Sequence, residues 1–251
     1  MTLYINCSSG DVARYVFAPG SHRRAQRIAE HFDSARLVSD SHGYLVFTGA
    51  VSGIPMTVSS TGMGGPSTAI CLEELGHLGA DTFIRVGSCG TVQDFVGCGD
   101  VIISTGSSRG GGTANAYLPV EFPAVPNYDM TKALINAAKT LDVRVHAGLG
   151  LTGDGFYAPR GDPSMAHIMK EAGIVSLEME SDTLYVLAAV RGWRASALYA
   201  CDGTSRQRKP EWGREAFLTG EQNAIRIAIE AMKAIALDDA RTGSSLRNCR
   251  Q

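Results

Sequence analysis

The sequence carries no imbalance of charge. Its 23 Lys and Arg stand against 25 Asp and Glu, a formal net charge of −2. With no basic stripe, nucleic acid is not an expected partner. No apolar run approaches the roughly 18 residues of a membrane helix. The N-terminal "MTLYINCSSGDVAR" lacks the basic and apolar regions of a signal peptide, so a cytoplasmic location is expected. The six cysteines, Cys7, Cys71, Cys89, Cys98, Cys201 and Cys249, form no CxxC pair and no zinc spacing. They read as free thiols of a reducing compartment. No linker, internal repeat or low-complexity segment interrupts the 251 residues. One α/β domain over residues 1–238 is expected, with a flexible tail over 239–251.

What the chain does have is glycine, 29 residues of it, much of it just after apolar runs. Those runs alternate between strand and helix patterns. "YVFAPG" (15–20) predicts a short buried strand and "HRRAQRIAEHF" (22–32) a helix. Residues 43–60 predict a β-hairpin turning at Ser52-Gly53. Helices are expected over 66–79, 129–141, 164–173 and 181–192. Strands are expected at 82–88, with a turn through Gly87–Gly90, and at 99–106, 144–153, 174–180 and 194–203. In the last helix Ile225, Ala228, Ile229, Met232 and Ile235 repeat at helical spacing. Thr219 and Gln222 look like a capping box, and Gly220 predicts a break or fresh start. This order argues for a single α/β domain with a mixed sheet covered on both faces and ligands at the strand ends.

Four glycine- or acid-bearing segments end strands, "APGSHRR", "STGMGGPS", "RVGSCG" and "LEMES", and Arg24 and Arg85 are the candidate anion-binding side chains. "STGMGGPST" opens a helix, so its amides can face an anion; a plain tight turn explains it equally well. It matches neither the Walker spacing nor GxGxxG. Arg85, between Ile84 and Val86, is costly to bury without an anion, which could be a ligand or one of the chain's own acids. "LEMES" sets Glu178 and Glu180 on one side of a strand. There they could accept hydrogen bonds from vicinal hydroxyls, ligate a metal, or sit as solvated acids at a helix start. Asp202 follows apolar residues in "YACDGTS", where it could be a proton donor or simply the Asp of an Asp-Gly turn.

Taken together, "APGSHRRAQRIAE", "STGMGGPSTAICLEELGHLGADTFIRVGSCGTVQ", "EFPAVPNYD", "TGDGFYAP", "LEMESDTL" and "ACDG" resemble the hexameric-type purine nucleoside phosphorylases and the uridine phosphorylases. The likeness runs from about Tyr4 to Leu237. It implies one domain around a central mixed, partly barrel-like sheet flanked by helices. It also implies cleavage of the N-glycosidic bond of a nucleoside by phosphate. Gly20, Arg24, Arg85 and Ser88 are the implied phosphate site. Met63, Met179, Glu180 and nearby Glu178 are the implied ribose site, with Tyr4 reaching in from a neighbouring subunit. Cys89, Gly90, Phe156, Tyr157 and Leu177 are the implied base pocket. Asp202 would protonate the leaving base, helped by Arg214. No metal or organic cofactor is implied, phosphate being a co-substrate. The implied assembly is a homo-oligomer, a hexamer built as a trimer of dimers.

The chain departs from the family pattern at informative places. "SDSHGYL" has Gly43 where a neighbouring subunit's arginine usually completes the phosphate site. Tyr4 stands for a histidine, and Ser21 for an aspartate. The stretch "FYAPRGDPS" lacks the glutamine that reads uracil and displaces the arginine, here Arg160. With Asp202 present, these residues lean toward purines, although "STGMGGPST" and "EFPAVPNYD" look closest to uridine phosphorylases. The alternatives are a uridine phosphorylase, a phosphate-independent nucleosidase, and a nucleoside-binding protein without turnover.

Overall fold

A computed structural model describes residues 1–157, 163–204 and 214–243. In chain order the elements are β1 (Tyr15–Phe17), α1 (His22–Ala29), β2 (Ser34–Ser41), β3 (Tyr44–Val51), β4 (Ile54–Ser59), α2 (Gly65–His77), β5 (Thr82–Thr91) and β6 (Val101–Gly110). There follow α3 (Gly112–Tyr117), α4 (Tyr128–Thr140), β7 (Val145–Gly153), α5 (Pro163–Glu171), β8 (Ser176–Glu178), α6 (Ser181–Arg191), β9 (Arg194–Thr204) and α7 (Arg214–Thr242).

Five strands close on themselves in the order β5-β8-β7-β6-β9, with β9 pairing back onto β5. From β5 the sheet continues outward through β1, β4, β3 and β2. Parallel and antiparallel pairs are mixed, as the sequence predicts. β5 is bonded on both sides: at Thr82–Ile84 between β1 and β9, and at Gly90 between β9 and β8. Alternation along β5 sends Ile84 and Val86 into an apolar layer with Met130 and Leu134 of α4 and Ile225 and Met232 of α7. Phe83 faces the other layer, with Leu72 and Leu75 of α2 and Leu187 of α6. Arg85 shares the face of Phe83.

The structure corrects several expectations. β2 and α3 were not anticipated from the pattern. β2 is the outer edge strand, mostly exposed and irregular in register between Leu37 and Ser39, so it lacks an apolar alternation. His42 and Gly43, both at positive φ, form the two-residue turn joining β2 to β3. Gly43 therefore has a backbone reason to be glycine. The predicted turn through Gly87–Gly90 is strand instead: β5 runs on to Thr91, because β9 and β8 supply partners with one register shift at Cys89/Gly90. The strand expected over 174–180 is only Ser176–Glu178, and Glu180 caps α6 instead. The expected tail boundary at 239 falls inside α7, where buried Asp239 accepts from Tyr15 and Arg194.

Nor does α7 break at Gly220, so Thr219 and Gln222 are interior residues and not a capping box. A helix tolerates an interior glycine at about 1 kcal/mol. Here the glycine serves packing: a Cβ at 220 would overlap the carbonyl of Gly99. Gly220→Ala is expected to cost about 1–3 kcal/mol net, from overpacking against backbone. That should lower Tm by about 2–4 °C per kcal/mol in a chain of this size. An unchanged Tm would show that α7 has slack at this contact.

Candidate functional site

Two chain turns meet beside β5. After β1, Pro19 and Gly20 lead to Ser21, whose hydroxyl accepts from the Arg24 amide at 3.3 Å and starts α1. Ser21 thus caps the helix and sets Arg24 in the first helical turn. After β4, the Thr61 amide donates to the Pro19 carbonyl at 2.8 Å, joining the two turns. A Cβ at Gly20 would lie 3.2 Å from the Gly62 carbonyl oxygen and 3.9 Å from Arg85 Nη1. Glycine there permits the close approach of the two turns and adds no side chain beside the guanidinium.

Arg85 is 4% exposed. Its Nε donates to Glu178 Oε2 at 3.2 Å, and its Nη2 donates to Glu180 Oε2. Its Nη1 is buried with no hydrogen-bond partner among the described residues. Tyr199 lies beneath the guanidinium, with the ring centroid 6.0 Å away. Burial alone would lower the Arg85 pKa, but Glu180 and Glu178 outweigh it and hold it above the ordinary arginine value. The same burial pushes the Glu180 carboxyl up, against the pull of the Arg85 charge.

The two glutamates differ in what they have left to offer. Glu178 accepts from Arg85, from the amides of Glu180 and Ser181, and from Thr152 Oγ1 at 2.6 Å. It is saturated, and it anchors the start of α6. Glu180 accepts from Arg85 and from the Gly64 amide at 2.6 Å. A carboxylate has about four lone-pair sites, so Glu180 retains capacity for a ligand hydroxyl. The glycine turn before α2 therefore does face an anion, and that anion is Glu180.

Arg24, 7% exposed, also belongs to this cluster. Its pKa is pushed down to about 10 by burial and then by the Arg85 charge, while Asp202 and Glu180 pull the other way. Arg24, Arg85, Glu180 and Asp202 are thus electrically in one place, although they lie on α1, β5, the start of α6 and the end of β9. Asp202 itself is 9% exposed. Ser88 lies three positions beyond Arg85 on β5, paired with Ala200 of β9. Cys89 pairs in register with Cys201, and Gly90 with Leu177 of β8. Both cysteines are free thiols; burial and the Cys201 contact push Cys89 up, and that same contact lowers Cys201.

Most of the other predicted residues stand apart from the cluster. Met63 is 83% exposed, Phe156 71% and Tyr157 93%. The two aromatic rings stack edge-on against each other, 4.9 Å between centroids. Met179 is half-buried beside Glu180. Tyr4 packs edge-on against His42 at 5.7 Å, and the Glu74 carboxylate accepts from the amides of Leu3, Tyr4 and Ile5. The two segments expected to reach a neighbour therefore touch each other. Arg214 opens α7 with an exposed side chain. Arg160 lies outside the described residues.

One residue escaped the sequence reading. Glu221 of α7 is 4% exposed and accepts from Arg24 Nε at 2.6 Å and from Arg27 Nη1. It sits four residues before Ile225, on the buried stripe of that helix. An acid on an otherwise apolar turn of that stripe was the available signal.

A family model described as the phosphorylase superfamily matches residues 14–236. The chain is 40% identical to a uridine phosphorylase of Thermococcus kodakarensis, over 94% of this chain and 87% of that protein. It is 38% identical to a uridine phosphorylase of Treponema pallidum, over 94% and 95%. A guanosine phosphorylase of Halorubrum lacusprofundi is 34% identical over 90% of this chain and 95% of its own. The matched span takes in all of β1–β9, and with them every turn that delivers a side chain to the Arg85 cluster. By that match and by relatives of near full length, the chain belongs to the phosphorylase superfamily.

Proposed function

We propose that this protein is a nucleoside phosphorylase: nucleoside plus phosphate gives free base plus pentose 1-phosphate. The observation that carries the reading is the buried Arg85, whose Nη1 has no hydrogen-bond partner among the described residues and faces Gly20, with the Arg24 charge close by. Each guanidinium is held by an acid on one side, and the two lie near enough to repel, an arrangement that suits an anion shared between them. Gly20 and Ser88 complete the proposed phosphate site. Glu180 takes the ribose hydroxyls, with Met179 beside it, and Glu178 holds Glu180 and Arg85 in place. The remaining proposed contacts are Cys89, Gly90 and Leu177 at the base. Met63, Phe156, Tyr157 and a partner subunit's N-terminal segment would close over the nucleoside. No resident cofactor enters the proposal, and the assembly is proposed as a trimer of dimers.

In the reaction the C1′–N bond breaks with its electron pair going to the base. A phosphate oxygen bonds to C1′ from the opposite face, and the base takes up a proton. The residues above hold both reactants in line and stabilise charge as it develops.

For the base, uridine is the proposed first choice, supported by relatives named uridine phosphorylase at 40% and 38% identity. Purine nucleosides, toward which the sequence leans, are the second reading. It is supported by Asp202 lying within the charged cluster and by the guanosine phosphorylase relative. The test is base release from uridine, inosine, guanosine and adenosine, each with and without phosphate. Phosphate-dependent release, fastest from uridine, is expected. Release indifferent to phosphate would make the protein a hydrolase and overturn the reading; faster release from a purine nucleoside would move the base assignment to the second reading.

A further inference from the structure

Glu221 is a buried acid that contacts the cluster and that the proposed chemistry leaves unused. We infer that Glu221 is a positioning residue: it holds the Arg24 guanidinium in the orientation that receives phosphate. This rests on the phosphorylase reading above and deepens it.

The geometry restrains Arg24 at two points. Its Nε donates to Glu221 Oε1 at 2.6 Å, and its Nη1 donates to the Val86 carbonyl at 3.3 Å, one residue beyond Arg85. A planar guanidinium fixed through Nε and Nη1 has little freedom left. Its Nη2 has no partner among the described residues. Arg27, one turn further along α1, donates to Glu221 Oε2 and so fixes the carboxylate itself. The order is therefore Arg27 to Glu221 to Arg24, with α7 as the fixed support. Close approach of α7 at Gly220 sets the depth of the carboxylate.

Charge gives the arrangement a second purpose. Arg24 sits beside Arg85, and two adjacent buried cations repel. Without a buried carboxylate on its far side, Arg24 would gain by swinging out toward water. Glu221 opposes that swing while leaving the phosphate side of the guanidinium unoccupied. Glu180 and Glu178 do the same for Arg85. Each guanidinium is thus backed by acid and open on one nitrogen.

An ordinary structural ion pair between α1 and α7 would lower stability and raise both Michaelis constants together, or neither. A positioning role separates them. In Glu221→Gln the amide oxygen still accepts from one arginine, but the charge is gone. The expected result is a rise of about tenfold or more in KM for phosphate, the scale of one weakened charge-assisted hydrogen bond. KM for nucleoside should change by less than about twofold, and Glu221→Asp should recover part of the loss. Direct titration of inorganic phosphate into the folded protein should show the same weakening without turnover. Arg27→Gln, altering a half-buried residue at the periphery, should shift KM for phosphate in the same direction by less, and it serves if Glu221→Gln does not fold. The inference is overturned if KM for phosphate holds steady in these variants, or if both constants rise in parallel. Wild-type turnover without any phosphate dependence would instead bring down the phosphorylase reading itself, so the two failures are distinguishable.

Discussion

Replacing Arg85 with alanine is expected to lower kcat/KM for phosphorolysis by about 10²–10³-fold or more, the scale for removing one preorganised donor from a transition-state site. The fold should suffer as well. Glu178 and Glu180 are both buried and both lean on this guanidinium. Stranding buried charge costs about 3–5 kcal/mol. The pH dependence has a definite sign. Burial already pushes Glu180 up in the intact protein. Without Arg85 it rises further above its unfolded value, so the penalty is greatest at high pH and eases as the carboxyl takes a proton. Urea titrations of the variant at pH 5 and pH 8 should show the deficit narrowing at the lower pH. Arg85→Lys keeps a charge but loses the fork that spans two acids and a ligand, and should fall between. Ordinary phosphate kinetics in Arg85→Ala would dissociate Arg85 from the phosphate site altogether.

The second large effect is expected at Asp202, and it should depend on the base. Asp202→Asn preserves shape but removes the proton that an acid delivers to a leaving purine. Turnover of inosine or guanosine should fall by about 10²–10⁴-fold. Uridine turnover should fall far less, because its loss comes only through the electrostatic support Asp202 gives Arg24. The measurement is kcat on one purine nucleoside and on uridine at saturating phosphate, for both proteins. Equal losses on the two would place Asp202 in the phosphate site. A selective purine loss would make it the acid of the second reading.

How much of this was legible depended on whether a feature is local. The hairpin at Ser52-Gly53 was readable because its turn chemistry and alternation sit side by side; both residues have positive φ and join β3 to β4. β2 was not, because an exposed edge strand has no buried face to write into its sequence. The glycines after Val86 looked like a turn, yet β9 and β8 hold them as strand, and that pairing is distant in sequence. The site shows the same division. Arg85 could be recognised as needing an anion, and both offered explanations hold at once. Two nitrogens are satisfied internally by Glu178 and Glu180, and one remains open. That Glu178 is saturated and Glu180 is not could not be read from "LEMES", since the deciding donors come from Thr152, Gly64 and the α6 amides. Glu221 lies 197 residues from Arg24 in the chain. Only folding introduces them.

The placement of Arg85 on β5 has a kinetic side. β9 pairs with β5 along its whole length, Arg85 included, so the backbone bonds at Arg85 should break only when the closed ring of strands itself opens. Most of the residues around Arg85 lie on turns and helix starts, the parts of a protein that breathe most readily. Arg85 instead belongs to the region that should relinquish structure last. Thermal fluctuation can therefore admit and release ligands around Arg85 without moving the charge they come for.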